Sequence, residues 1–266
     1  MNTLDALRDL DVPAVTTFVV VVAVAALVIL DPVLGRRQYA GMVEDLAASA
    51  DDLERDRVRR RLYRSWTWLG WLTGTLVVAL VLVLPGVRLA DLGLRLPQTS
   101  ALLPGAERDD AAGMAVGAIV GLTLAGGALV LVRRRWPTAQ PHNAAVDALL
   151  PTTPAARRGW AGLSLSAGVT EEITYRGFLV LALTLALPGL PHGAVVAVAA
   201  VLFGLAHWYQ GRLGVLTTGA MGAVLTQLYL TTGSLLLPMV LHVLVDLRLL
   251  LERPAPATST VLADAR

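Results

Sequence analysis

Six side chains in this 266-residue chain have types and spacings suited to acid–base chemistry: Glu171, Glu172, Arg176, His207, His242 and Asp246. They form three short groups inside otherwise apolar runs: Glu171-Glu172 with Arg176, His207 four residues after Phe203, and His242 four residues before Asp246. An ionisable side chain at bilayer depth costs about 2.5 kcal/mol or more, so a chain that keeps several of them there uses them. On a helix the two glutamates point about 100° apart and are expected to do different work. Glu172 and Arg176 stand at i and i+4 in the favourable order, which predicts a neutralising pair. Glu171 shares its face with Tyr175, whose phenol is expected to hydrogen-bond the carboxylate and orient it. Left without a full counter-charge, Glu171 suits the exchange of a proton near neutrality and is the first candidate for a general base. His242 and Asp246 share one helix face, a spacing that serves either two metal ligands or a carboxylate holding the imidazole in one tautomer. Each group alone reads as readily as an ion pair or a packing histidine. Only four histidines exist, however, and two of them fall in apolar runs with these carboxylates, which favours one site. His142 and His192 fall in loops.

The elements that must position these residues are membrane helices. The chain is 55% hydrophobic and 16% charged, with a mean hydropathy of +0.64, far on the apolar side of a soluble domain. Its Ala, Val and Leu fall in runs long enough to span, which predicts an all-α, polytopic transmembrane bundle of about seven spans. There is no cysteine, so disulfides, thiolate metal sites and cysteine nucleophiles are excluded. A net charge of +2 gives no case for nucleic acid, and the partner expected from composition is the lipid bilayer.

Spans are expected at Ala14–Leu30, Trp66–Leu84, Ala111–Val132, Ala194–Tyr209, Leu213–Leu230 and Leu235–Leu251. Trp160–Leu187 is either one tilted span or a short re-entrant helix followed by a half-span. Residues 31–65, rich in Arg, Asp and Glu, are expected to be a charged loop that forms a surface helix, and residues 86–110 an interfacial segment. This divides the chain into an N-terminal membrane region (1–110), a helical core that carries the three polar motifs (111–252) and a disordered tail (253–266). The first residues carry Asp5, Asp9 and Asp11 against Arg8, the wrong sign for a secretory n-region, so the first span is expected to be retained. Arginine clusters at 55–64, at 133–135 and at 157–158 place those loops in the cytoplasm, the N-terminus outside and the C-terminus inside. On that topology Glu171 begins about 18 Å beyond Arg158 if the chain is helical, and the three motifs meet in the cytoplasmic half of the bilayer. A substrate presented from the cytoplasm follows. In the sixth span Gly219 and Gly222 are expected to let a neighbouring helix approach closely.

The runs Glu171-Glu-Ile-Thr-Tyr-Arg176, Phe203-Gly-Leu-Ala-His207 and His242-Val-Leu-Val-Asp246 resemble the three motifs of the CPBP family of intramembrane proteases. That group includes the type II CAAX prenyl endopeptidases and the Abi-type bacteriocin-immunity proteins. The resemblance covers about residues 111–250. It implies an integral protein of the bacterial plasma membrane that hydrolyses a membrane-tethered or prenylated substrate, with water activated by Glu171 and His207. It also implies that Glu172 and Arg176 shape the site, and that His242 and Asp246 stabilise an oxyanion or complete a metal site. One position departs from the pattern: the prenyl endopeptidases commonly have Asn where this chain has Asp246, and an ionised carboxylate cannot donate to an oxyanion. That shifts weight toward a metal held by Glu171, His207, His242 and Asp246, a donor set that suits zinc. The rival functions are a non-catalytic immunity or scaffolding protein with the same fold, and a small proton-coupled transporter. Short length and the lack of a repeat count against transport.

Overall fold

The computed structural model of the protein describes residues 3–97 and 144–251, and every regular element among them is helical. In chain order these are α1 (Thr3–Arg8), α2 (Ala14–Ala48), α3 (Asp52–Val83), a 3-10 turn (Leu89–Leu92) and α4 (Ala144–Leu149). There follow α5 (Pro154–Glu171), a π-helical stretch (Glu172–Phe178), α6 (Leu179–Ala186), α7 (His192–Ala206), α8 (Gly211–Thr232) and α9 (Leu236–Leu247). The expected span Ala111–Val132, the arginines at 133–135, His142 and the tail from Arg253 lie outside the described residues, as does most of the expected interfacial segment.

Three of these helical segments are long and apolar enough to cross a membrane, Ala14–Ala48, Asp52–Val83 and Trp208–Thr232, while the apolar α7 is shorter. About seven spans, the number expected, is therefore not what the described residues display. Exposed Val15, Phe18, Val22 and Ile29 on α2, with Trp68, Leu72 and Leu76 on α3, give these helices the apolar outer face of an integral membrane protein.

The charged loop expected at 31–65 is corrected. Both flanking helices run on through it and meet in a turn at residues 49–51. Asp51 caps α3, accepting from the Glu54 amide at 2.7 Å, while the Glu54 carboxylate accepts from the Ala50 amide at 2.8 Å. Asp56 and Arg60 pair one turn apart at 2.8 Å. Charges alternating at helical spacing extend the helix instead of ending it.

Residues 154–186 form one continuous helical path, in place of a break into a re-entrant piece and a half-span. Thr153 caps it, accepting from the Ala156 amide at 3.1 Å, and Pro154 occupies its first turn. Within it, residues 172–178 widen into a π-helix, seen in the Leu179 amide bonding to the Thr174 carbonyl five residues back. The hydroxyls of Thr170 and Thr174 bond to carbonyls one turn earlier, each at 2.8 Å, a pattern that loosens the α register. The first motif sits on this stretch, and π segments recur at functional sites.

Small residues set the packing of the other two motif helices. A Cβ on Gly168 of α5 would meet Val243 Cγ2 at 2.4 Å, so glycine lets α9 lie directly against α5. Gly204 of α7 meets Val215 and Gly219 of α8, and Gly222 packs on Phe203 and Ala200. The close approach expected of Gly219 and Gly222 is thus the α7–α8 contact. Trp160 Nε1 donates to the Asp246 carbonyl at 3.0 Å and fixes the far end of α9.

Two apolar clusters fill the bundle. One gathers Val20, Val81, Leu92, Phe178, Phe203 and Leu235 with neighbours near α1; the other gathers Tyr39, Met42, Tyr63, Leu149 and Trp160 at the opposite end.

Candidate active site

A cavity of about 900 Å³ has walls from both apolar clusters, and Glu171, His207, His242 and Asp246 all line it. The α2–α3 hairpin supplies Asp31, Gln38, Trp66 and Gly70, and the end away from α1 supplies Arg248 and Leu251.

Behind the cavity wall lies a buried knot. Glu172, Arg176 and His242 are each no more than 2% exposed. Arg176 Nη1 donates to Glu172 Oε1 at 2.8 Å, and His242 Nδ1 lies 2.7 Å from the same oxygen. The i,i+4 pair thus exists, and the second imidazole joins it. The Arg176 guanidinium lies 4.0 Å over the Phe203 ring, a cation–π contact. Phe203 also makes edge contacts with Tyr175 and His242 and packs on His207, so one fully buried ring spaces all three motifs.

This arrangement corrects one tautomer expectation. The carboxylate that holds His242 is Glu172, seventy residues away in sequence, while Asp246 Oδ2 lies 3.8 Å from His242 Nε2, beyond hydrogen-bond reach. The i,i+4 spacing brought His242 and Asp246 to one face, but the packing of α9 on α5 placed a nearer acceptor at Nδ1. A carboxylate only accepts, so Nδ1 carries the hydrogen and Nε2 faces the cavity.

His207 ends α7, where carbonyls lack intrahelical partners. Its Nδ1 lies 2.9 Å from the Phe203 carbonyl. A carbonyl cannot donate, so Nδ1–H is the donor, and Nε2 of the neutral ring is a bare acceptor. Both Nε2 atoms turn toward one carboxylate: Glu171 Oε2 is 3.8 Å from His207 Nε2 and 3.9 Å from His242 Nε2. That oxygen is buried with no hydrogen-bond partner, although the Glu171 side chain keeps 29% of its exposure through the cavity.

The expected bond from Tyr175 to Glu171 is replaced. Tyr175 Oη donates instead to Asp31 Oδ2 on α2 at 2.6 Å. Asp31 is the cavity residue that sequence reasoning misses, because the apolar run ends at Leu30 while α2 continues to Ala48. Its signal was an acidic residue directly after an apolar run, with Leu27, Val28, Leu34 and Gly35 at i±3 and i±4 and hence no local counter-charge.

Glu171, His207, His242 and Asp246 were the expected metal ligands. Among the described residues no group of three or more His, Asp or Glu is spaced to hold a metal ion. The facing oxygen and nitrogen atoms stand 3.8–3.9 Å apart, room for a water that bridges them at hydrogen-bond distance.

Residues 155–248 match a protein-family model described as Rce1-like, type II CAAX prenyl endopeptidase. This is the family that the three motifs resemble, and the matched segment contains all six of the residues they single out. Asp31 lies outside it. No curated protein and no solved structure matches the chain.

Proposed function

From the Rce1-like type II CAAX prenyl endopeptidase segment at residues 155–248, we propose that this membrane protein hydrolyses a peptide bond of a membrane-tethered or prenylated protein, using water activated by Glu171 and His207. The observation that carries the reading is Glu171 Oε2, buried and unpartnered at a cavity wall between two imidazole Nε2 atoms.

A water seated among these atoms donates one hydrogen to Glu171 and the other to His207 Nε2. As its oxygen bonds to the scissile carbonyl carbon, Glu171 takes the proton and the carbonyl electron pair moves onto its oxygen. Collapse of that intermediate breaks the C–N bond, and the proton held by Glu171 passes to the leaving amine. His242, anchored through Nδ1 to Glu172, serves the oxyanion through Nε2–H in its imidazolium form, with the Asp246 carboxylate nearby as counter-charge. Asp246 therefore acts through His242, which fits a carboxylate at a position where an amide is usual in this family. Glu172 and Arg176 hold His242 in place and do not react.

The cavity reaches Trp66, Arg248 and Leu251 at the end away from α1. With the arginine-rich hairpin tip taken as cytoplasmic, a substrate segment enters from that side. The test is cleavage of a library of prenylated and membrane-tethered peptides by purified protein in bilayer discs. Glu171→Gln is expected to abolish cleavage and leave insertion and elution unchanged; undiminished proteolysis in that variant sinks the assignment.

A further inference from the structure

Tyr175 is buried, with 3% of its surface exposed, and a buried phenol must direct its single hydrogen to one acceptor. Two carboxylates are candidates. Glu171 lies one turn earlier on the same helical path, and Asp31 comes from α2, 144 residues away in sequence. The hydrogen goes to Asp31 at 2.6 Å, and Glu171 Oε2 is left with no donor.

Among the described residues the Tyr175 phenol is the one hydrogen-bond partner of Asp31. It carries no Arg at i±3 or i±4, it stands where the apolar run of α2 ends, and it faces the same cavity as Glu171 and Asp246. Four carboxylates line that cavity, Asp31, Asp147, Glu171 and Asp246, and they repel one another, so Asp31 is kept there against an electrostatic cost.

We propose that Asp31 is a positioning residue for the reaction of Glu171: by accepting the Tyr175 hydrogen, it keeps that phenol from donating to the reacting carboxylate. A carboxylate that accepts a strong hydrogen bond from a neighbouring phenol is a weaker base, and its lone pair is no longer available to water. Asp31 thus acts on catalysis through Tyr175, from a helix that the family match does not include. This inference rests on the endopeptidase reading above.

The test is a double-mutant cycle with kcat and KM measured separately on a cleaved peptide. Asp31→Ala frees the phenol to turn to Glu171 and is expected to lower kcat about tenfold, with KM unchanged. Asp31→Asn keeps a carbonyl oxygen that still accepts the phenol, and is expected to retain several times the activity of Asp31→Ala. In the Tyr175→Phe background there is no hydrogen to redirect, so adding Asp31→Ala is expected to cost nothing further. A role in folding alone predicts the opposite, an equal loss with or without the phenol. Full activity of Asp31→Ala, a loss confined to KM, or an undiminished cost of Asp31→Ala in the Tyr175→Phe background overturns the inference and leaves the endopeptidase reading standing. A wild-type protein that cleaves no substrate overturns that reading and takes this inference with it.

Discussion

Glu171 and Glu172 are adjacent in sequence and opposite in circumstance. Glu172 is fully buried, shares one oxygen between Arg176 and His242, and borders the packed core. Glu171 opens onto a cavity of about 900 Å³ and has a buried oxygen with no partner. The same chemical group is thus a structural anchor at one position and a reactive candidate at the next. What separates them is one step around a helix that widens into a π-turn, and which neighbouring helix each then faces. Each carboxylate keeps one buried oxygen without a partner, but the other oxygen of Glu172 is held by Arg176 and His242, whereas Glu171 lines the cavity.

The largest expected effect tests the open member of the pair. Glu171→Gln is expected to reduce kcat by about 10²–10⁴-fold while the thermal midpoint in detergent stays near that of the wild type. Glu172→Ala is expected to reverse that pattern, lowering stability by about 3–5 kcal/mol, because Arg176 and the His242 ring are left buried without their acceptor. Thermal unfolding reports it, and an unshifted midpoint would show that the knot is not an anchor. Gly168→Leu is expected to separate α5 from α9 and carry His242 away from Glu172, with a loss of about 1–3 kcal/mol in stability together with activity. Asp246→Asn is expected to change kcat by less than about tenfold, because Asp246 makes no hydrogen bond to His242 in this arrangement and an amide there can donate to the oxyanion. At the small end, a strong zinc chelator is expected to leave cleavage unchanged, in keeping with separations of 3.8–3.9 Å among the polar atoms. Loss of activity that returns with added zinc would replace the water-bridged site with a metal centre.

Legibility differed between local and distant relations. The pairing of Glu172 with Arg176 was readable because i and i+4 are neighbours on any helix of this kind. The close α7–α8 approach was readable from Gly219 and Gly222. The charged segment after Leu30 reads from sequence as a loop that forms a surface helix, and α2 and α3 instead run on through it, since charge density signals exposure to water and not the end of a helix. The partner of Tyr175 is not legible for a related reason: helical spacing offers only local acceptors, of which Glu171 is one turn away, and Asp31 is 144 residues distant.

The sequence by itself determined the all-helical membrane character, the three motifs and the family segment that contains them, because hydropathy and i,i+4 spacing are properties of a single helix. The tertiary structure decided which acceptor each donor takes. His242 goes to Glu172 because Gly168 lets α9 settle against α5, and Tyr175 goes to Asp31 because α2 packs beside the π-turn. Pairing across helices depends on the depth and register of their contact, which a single helix does not fix and which is set here by close approaches such as Gly168 on Val243.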